Sequence, residues 1–362
     1  MFLLARADSV VRGQGIRQVF DDPRRAAAAL REGSVSAVVG ALPFDWRRSA
    51  ALVEPEQVEH IAGAWRPAAL PELPAVRVVC ELPGPDEHIA RVSGLVELLN
   101  DPGQPLRKVV AARSVVAEAD DPLDPEVAAA YLLSRHPRAN VFAVDLTAAG
   151  RPGESLVGAS PEVLVARAGG TVTLHPLAGT LPRLADPDDD AAQAEKLAAS
   201  TKNLDEHAFV IDWIRERLGP VCSRLSIPQR PELVSTQDVW HLATPIRGVL
   251  RDRAVSALDL ALLLHPTPAV CGTPTAVALD TITAMEEDRG FYGGAVGWCD
   301  GAGDGVWVVA IRSAELSADR CSLRAFAGGG IVAASDPRAE LDETTAKLRT
   351  LLGSLHCSIP SA

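Results

Sequence analysis

Two short stretches place carboxylates at helical spacing. In the run from Ala339 to Lys347, Glu340 and Glu343 lie three residues apart, and Lys347 follows Glu343 by four. All three would project from one face of a helix. Within Lys202-Asn203-Leu204-Asp205-Glu206-His207, Asn203 and Glu206 share a face in the same way. Taken alone, each set is what an ordinary solvated helix face carries. Facing one cavity, the two sets would offer oxygens to a hard cation such as Mg2+, which keeps waters and takes one or two protein carboxylates. Spacing leaves that open.

Three further features bear on chemistry. Gly328-Gly329-Gly330 follows an apolar strand, and backbone without side chains can approach a ligand closely or simply turn. Arg312 ends the apolar run Val306 to Ile311. A buried arginine there requires an anion, either a substrate carboxylate or an internal Asp or Glu. Glu162 follows the bend Ser160-Pro161; buried, it would be a general acid, and exposed, a turn residue. Ser160 is not a nucleophile elbow, because G-x-S-x-G is absent.

The elements that must position these groups alternate in type. Helical spacing marks Asp86 to Leu99, Pro125 to Arg135 capped by Asp124, Ala192 to Leu218, Ala257 to Leu264, Thr275 to Met285 and Arg338 to Leu352. Strand patterns mark Lys108 to Arg113, Val141 to Leu146, a hairpin of Ser155–Arg167 with Gly170–Leu177, Glu232 to His241, Thr244 to Leu250, Val306 to Leu316 and Ser322 to Val332. Ala64–Pro74 and Pro182–Asp190 read as loops. Strands follow one another in hairpins more than in β-α-β order, which predicts an α+β fold with largely antiparallel sheet.

The 362 residues are 47% hydrophobic and can bury a large core. The net charge is −12 with no basic block, which argues against nucleic acid and anionic membrane as partners. The N-terminal apolar run is too short for a signal peptide, and the six cysteines form no C-x-x-C pair. Free thiols and a cytoplasmic location follow as expectations. The chain uses 35 basic residues, yet lysine stands only at 108, 196, 202 and 347. A lysine kept in an arginine-rich chain can mark a place that needs an amine able to lose its proton.

Ten stretches then fall into a recognisable order: KVVAAR at 108–113, GASPE at 158–162, PLAGT at 176–180, KNLDEH at 202–207, VWHLATPIRG at 239–248, LLHPTPAVCGTP at 263–274, FYGGAVGW at 291–298, VVAIRSAEL at 308–316, AGGGIV at 327–332 and DPRAELDETTAKL at 336–348. Together they resemble the chorismate-utilising enzymes, the anthranilate, aminodeoxychorismate, isochorismate and salicylate synthases. The resemblance implies a single chorismate-binding domain over 1–362, with 1–100 matching loosely and 101–356 bearing the motifs. It also implies two subdomains of largely antiparallel sheet, outer helices and an active site in the cleft between them.

The same resemblance implies roles. Glu206 and Glu343 would bind Mg2+, with Glu340 acting through water. Lys108 would be the general base for water attack at C2 of chorismate, and Glu162 the general acid for the C4 hydroxyl. Gly179, Thr180, His241, Ala269, Tyr292, Arg312, Gly328, Gly329, Gly330 and Lys347 would line the substrate site. Ala269 in HPTPA points to the isochorismate synthases, which use water and need no glutaminase subunit. Tyr292 leaves a salicylate synthase as the alternative, and Asn203, where most members carry an acid, a non-catalytic chorismate binder. Gly329 in place of the usual alanine reads as sterically mild. The family makes a monomer or weak homodimer the expected state.

Overall fold

The fold was read from a computed structural model, in which residues 1–67 and 70–357 are described. Its strands pair antiparallel throughout the described ladders. A ten-stranded sheet runs from Gly272–Thr273 through Lys108–Ala119, Ser322–Ile331, Ser313–Leu316, Ser155–Ser160, Asn140–Asp145, Phe2–Ala5 and Ser9–Gln14 to Gln57–Ala62, with Val76–Leu82 also on Lys108–Ala119. A nine-stranded sheet runs from Cys222–Ser226 through Ile246–Leu250, Thr171–Leu174, Val163–Ala168, Gly305–Val309, Ala295–Asp300, Ala37–Leu42 and Ala51–Glu54 to Gln18–Phe20. Leu177–Pro182, Val239–Ala243 and Glu232–Ser235 form a small third sheet. This is the expected α+β class.

Alternation along the strands explains the layers. In Phe2–Ala5 every residue is buried. Phe2 and Leu4 meet Val39, Ala41, Val296 and Val308 of the nine-stranded sheet, so the two large sheets pack face to face. Leu3 and Ala5 point the other way, onto Leu132 and Leu351 of the helices Pro125–Arg135 and Pro337–Ser354. The outer face of the nine-stranded sheet is covered by Pro23–Arg31, Thr201–Leu218 and Ala257–Leu264. Residues 1–62, which matched the family only loosely, thus complete one edge of each sheet.

Caps fix the helix ends. Ser256 and Asp259 form a capping box that starts Ala257–Leu264 where the sequence places it. Asp124 accepts from the Glu126 and Val127 amides and opens Pro125–Arg135. Among the described residues no helix is long and apolar enough to cross a membrane.

Four elements differ from the sequence expectation. The helix Ala192–Leu218 is two helices, Pro187–Ala199 and Thr201–Leu218. Ser200 is extended (ψ 110°), and its hydroxyl accepts from the Asn203 amide, so it ends one helix and caps the next. The first begins inside the expected acidic loop, because Asp186 caps it and Pro187 fits its first turn. The strand Glu232–His241 is split by a turn in which the Thr236 amide donates to the Val239 carbonyl. Ser155–Arg167 breaks at Pro161–Glu162, and Val306–Leu316 breaks at Ala310–Arg312. At both breaks the chain leaves one large sheet for the other. Ala64–Pro74 holds no helix or strand where it is described; Ala68 and Ala69 lie outside the described residues.

Candidate active site

The site grows from the pairing of Lys108–Ala119 with Ser322–Ile331. Their register sets Gly328, Gly329 and Gly330 opposite Ala112, Ala111 and Val110. This bare stretch of backbone lets carboxylates from two helices come close. A Cβ at Gly330 would run into Glu206 Oε1 and stand 2.9 Å from Lys108 Cε. A Cβ at Gly329 would stand 2.6 Å from Glu340 Oε2, so this position is tighter than the sequence suggests. Spacing could not tell whether the two acidic helices face each other; they do. Lys202 reaches from one to the other, 3.5 Å from Glu206 Oε2 and 2.9 Å from Glu340 Oε1.

Lysines and glutamates alternate through this cluster. Lys108 is fully buried, and its Nζ lies 3.2 Å from Glu206 Oε1 without a well-directed hydrogen bond. Burial lowers the Lys108 pKa; the Glu206 carboxylate opposes this, and Lys202 and Lys347 add to it. Lys347 pairs with Glu343 and donates to the Gly328 carbonyl at 2.8 Å. Burial opposes ionisation of Glu206, but Lys108, Lys202 and Lys347 hold its pKa down at about 2. Glu340 is pushed up to about 7 by burial and by Glu343, against Lys202. Lys202 did not stand out as a site residue in its helix, although lysine scarcity was a signal for it.

A cavity opens beside the cluster. Glu206, Gly328, Gly330, Lys347 and Tyr292 line one part of it. Glu162, Gly179, Thr180, His241, Ala269 and Arg312 line the rest. Lys108, Gly329, Glu340 and Glu343 stand behind this lining. Gly179 has φ +82°, a conformation glycine adopts freely, and a Cβ there would stand 3.0 Å from Asn203 Cβ. It lets the helix bearing Glu206 pack against Leu177–Pro182. His207 fixes the same contact: its Nδ1–H donates to the Ala178 carbonyl (3.1 Å), and its Nε2 therefore accepts from the Thr244 hydroxyl (2.7 Å).

Glu162 is almost completely buried, and desolvation pushes its pKa up to about 8 against the pull of Lys108, Arg312 and Lys347. At neutral pH it carries a proton. Arg312 has φ +51° at the break between strands, forms no ion pair among the described residues, and leaves Nη2 buried without a hydrogen-bond partner. His241 bonds through Nδ1 to the Thr180 hydroxyl at 2.9 Å, and its buried Nε2 has no partner. Burial, reinforced by Arg312 and Lys347, keeps it neutral. The Tyr292 ring stacks on Phe326 at 5.2 Å, and burial pushes its phenol up to about 12. The cavity therefore combines cationic and neutral hydrogen-bonding groups with one proton-bearing carboxyl, Glu162, and one ionised carboxylate, Glu206.

Among the described residues no three His, Cys, Asp or Glu side chains converge as a closed metal cage would require. The donors at hand nevertheless suit a hard cation. Glu206, Glu340 and Glu343 offer only oxygen, and Glu340 Oε2 is buried without a partner. Two of the three share the ammonium of Lys202, so positive charge is already drawn to this point.

Comparison with known proteins gives the family. Residues 52–356 match the family described as chorismate binding enzyme. The Mycobacterium tuberculosis protein MenF is 50% identical over 361 residues, covering 98% of this chain and 95% of that protein. The isochorismate synthase DhbC of Bacillus subtilis is 40% identical over 375 residues, covering 98% and 93%. The crystal structure of DhbC from Bacillus anthracis superposes with a TM-score of 0.90 at 35% identity, covering 98% of this chain and 96% of that one. With the profile spanning most of the chain and near full-length relatives at this identity, the chain belongs to the chorismate-binding enzyme family.

Proposed function

We propose that the protein is an isochorismate synthase, converting chorismate to isochorismate by adding water at C2 and losing the C4 hydroxyl as water. Atoms balance: one water enters, one leaves, and the ring double bonds shift. The observation that carries this reading is a pair of opposed pKa shifts, Glu162 in the lining of the cavity and Lys108 buried directly behind it. Glu162 is raised to about 8 and holds a proton, while Lys108 is lowered toward the neutral amine. Environments that push two groups in these directions suit a general acid and a general base. Lys108 takes the proton of the attacking water, and Glu162 gives its proton to the departing hydroxyl. An arginine could not serve at 108, because it does not release its proton.

The remaining groups hold the substrate. Arg312 and Lys347, with the backbone of Gly328 to Gly330, bind the enolpyruvyl carboxylate. His241 and Thr180 lie toward the ring carboxylate, and Gly179, Ala269 and Tyr292 shape the ring pocket. Glu206, Glu340 and Glu343 would hold Mg2+, which when bound supplies positive charge to the ring carboxylate. Water as nucleophile calls for no glutaminase subunit. The relative from Bacillus subtilis is named as an isochorismate synthase, which supports the same assignment. We place the reaction in the cytoplasm, on a monomer or weak homodimer.

Chorismate incubated with the protein and Mg2+, with products separated by chromatography, tests this. Isochorismate is the expected product. Its absence would overturn the assignment, and salicylate with pyruvate would assign the chain to the pyruvate-expelling members instead.

A further inference from the structure

The inner cavity shares Leu177, His241 and Arg312 with a second, solvent-open chamber of about 670 Å³. Four arginines line this chamber, Arg135, Arg138, Arg183 and Arg312, and no Asp or Glu does. The chain as a whole has the opposite bias, with a net charge of −12. A lining of one sign on an acidic protein needs an explanation.

The four charges are not equivalent. Arg183 stacks 4.6 Å from the Trp240 ring and pairs with Asp190 at 2.7 Å, so its charge is offset by a buried acid outside the lining. Arg312 is at the inner end and belongs to the site already described. Arg135 closes the helix Pro125–Arg135, and Arg138 lies three residues on, before the strand Asn140–Asp145. Both are exposed, and neither forms an ion pair among the described residues. The other groups near this mouth form no ion pair with either. His136 is taken up by the Thr350 carbonyl and the Ser354 hydroxyl. His175 pairs with Glu232 at 3.1 Å, and Asp238, which acts on Arg312 and His136 through its charge, is outside the lining.

We propose that this chamber is an electrostatic vestibule, in which Arg135 and Arg138 draw a small dicarboxylate dianion inward to Arg312. The proposal rests on the reading of chorismate, which carries two carboxylates, as the substrate. A cleft lined by one sign of charge and walled by low-dielectric protein focuses its field inward, raising association rates by ~10–1000-fold. The effect fades with salt, since free charges are screened over about 8–10 Å at 0.1–0.15 M ionic strength. Neither arginine touches the reacting atoms, so both act on substrate capture alone.

The test measures kcat/KM as loss of chorismate between about 10 mM and about 300 mM NaCl. It compares the unmodified protein, Arg135→Glu/Arg138→Glu and Arg135→Lys/Arg138→Lys. The unmodified protein should lose kcat/KM several-fold as salt rises. The Glu double variant should start about tenfold lower at low salt, keep its kcat, and show a flat or inverted salt response. The Lys double variant should follow the unmodified protein. Unchanged kcat/KM and salt response in the Glu variant would overturn the vestibule, as would an equal loss in the Lys variant, which would make shape rather than charge the cause. Failure of the unmodified protein to consume chorismate would instead overturn the reaction itself.

Discussion

Glu162 and Arg312 stand at two neighbouring crossings between the large sheets and are tied to each other's strands through the backbone. The Val309 amide donates to the Glu162 carbonyl at 3.1 Å, and the Ala159 amide donates to the Arg312 carbonyl at 3.0 Å. Each residue lies where its strand must stop pairing in one sheet and begin pairing in the other. A side chain there points neither into the inter-sheet core nor to solvent, but into the gap opened by the crossing. The fold thus places an acid and a cation in the lining of one cavity, on backbone tied across both crossings.

Glu162 should set the alkaline limb of the rate. Its carboxyl is raised from 4.5 to about 8, so the proton-bearing form disappears as pH climbs through about 8, and kcat should fall with it. Glu162→Gln should lower kcat by about 10²–10⁴-fold. The same shift bears on stability. Between pH 4.5 and about 8 the folded protein keeps a proton that the unfolded chain has released. The stability linked to that proton is complete below 4.5 and lost as pH rises through about 8. Denaturant midpoints should therefore fall less from pH 5 to pH 8 in Glu162→Gln than in the unmodified protein. Parallel declines would show that the Glu162 carboxyl is not the group responsible.

Lys108 should not tolerate arginine. Lys108→Met removes the base but leaves Glu206 paired with Lys202 at 3.5 Å, so the fold should survive while kcat drops about 10²–10⁴-fold. Lys108→Arg keeps the charge and cannot release a proton, and its rate should drop as far. Circular dichroism and steady-state rates check both. An active arginine variant would remove Lys108 from the base role.

The glycine run should be graded in its tolerance. At Gly330 a Cβ meets both Glu206 and Lys108, whereas at Gly329 it meets the carboxyl end of Glu340. Gly330→Ala should abolish turnover, and Gly329→Ala should chiefly raise the Mg2+ concentration needed for half-maximal rate. Metal titrations of the rate distinguish them. The reverse order of damage would contradict this placement of the carboxylates.

Asn203 should trade stability against metal affinity. It is buried, donates to the Ser200 hydroxyl at 2.8 Å, and leaves Oδ1 without a partner. Asn203→Asp adds a carboxylate to a cluster already rich in acid. Without Mg2+ the melting temperature should fall, and added Mg2+ should restore it while the rate saturates at lower metal. No change in the metal dependence would show that position 203 does not sense the ion.

Much of this site was legible because its residues come in short motifs on elements that the sequence pattern marks. Ala257–Leu264 and Thr275–Met285 lie where the sequence pattern puts them. The breaks were not legible. Ser200 interrupts two helices of similar pattern, and only its use as a cap stops the first. Arg312 follows an alternating apolar run, and nothing local shows that the run changes sheets with a positive φ. The convergence of Glu206 and Glu340 is a tertiary fact, set by two helices 119 or more residues apart meeting over Gly329 and Gly330. Lys202 was hidden for the same reason: i,i+4 spacing ties it to Glu206, but its shorter contact is with Glu340.

The central claim is that solvent water, activated at Lys108, becomes the new hydroxyl. Running the reaction in water enriched in oxygen-18 and analysing the product by mass spectrometry tests it most directly. Isochorismate formed this way should carry one heavy oxygen, located at C2. Isochorismate without heavy oxygen would mean that the C4 hydroxyl migrates within the ring, and would contradict the assignment of Lys108 and Glu162 as base and acid.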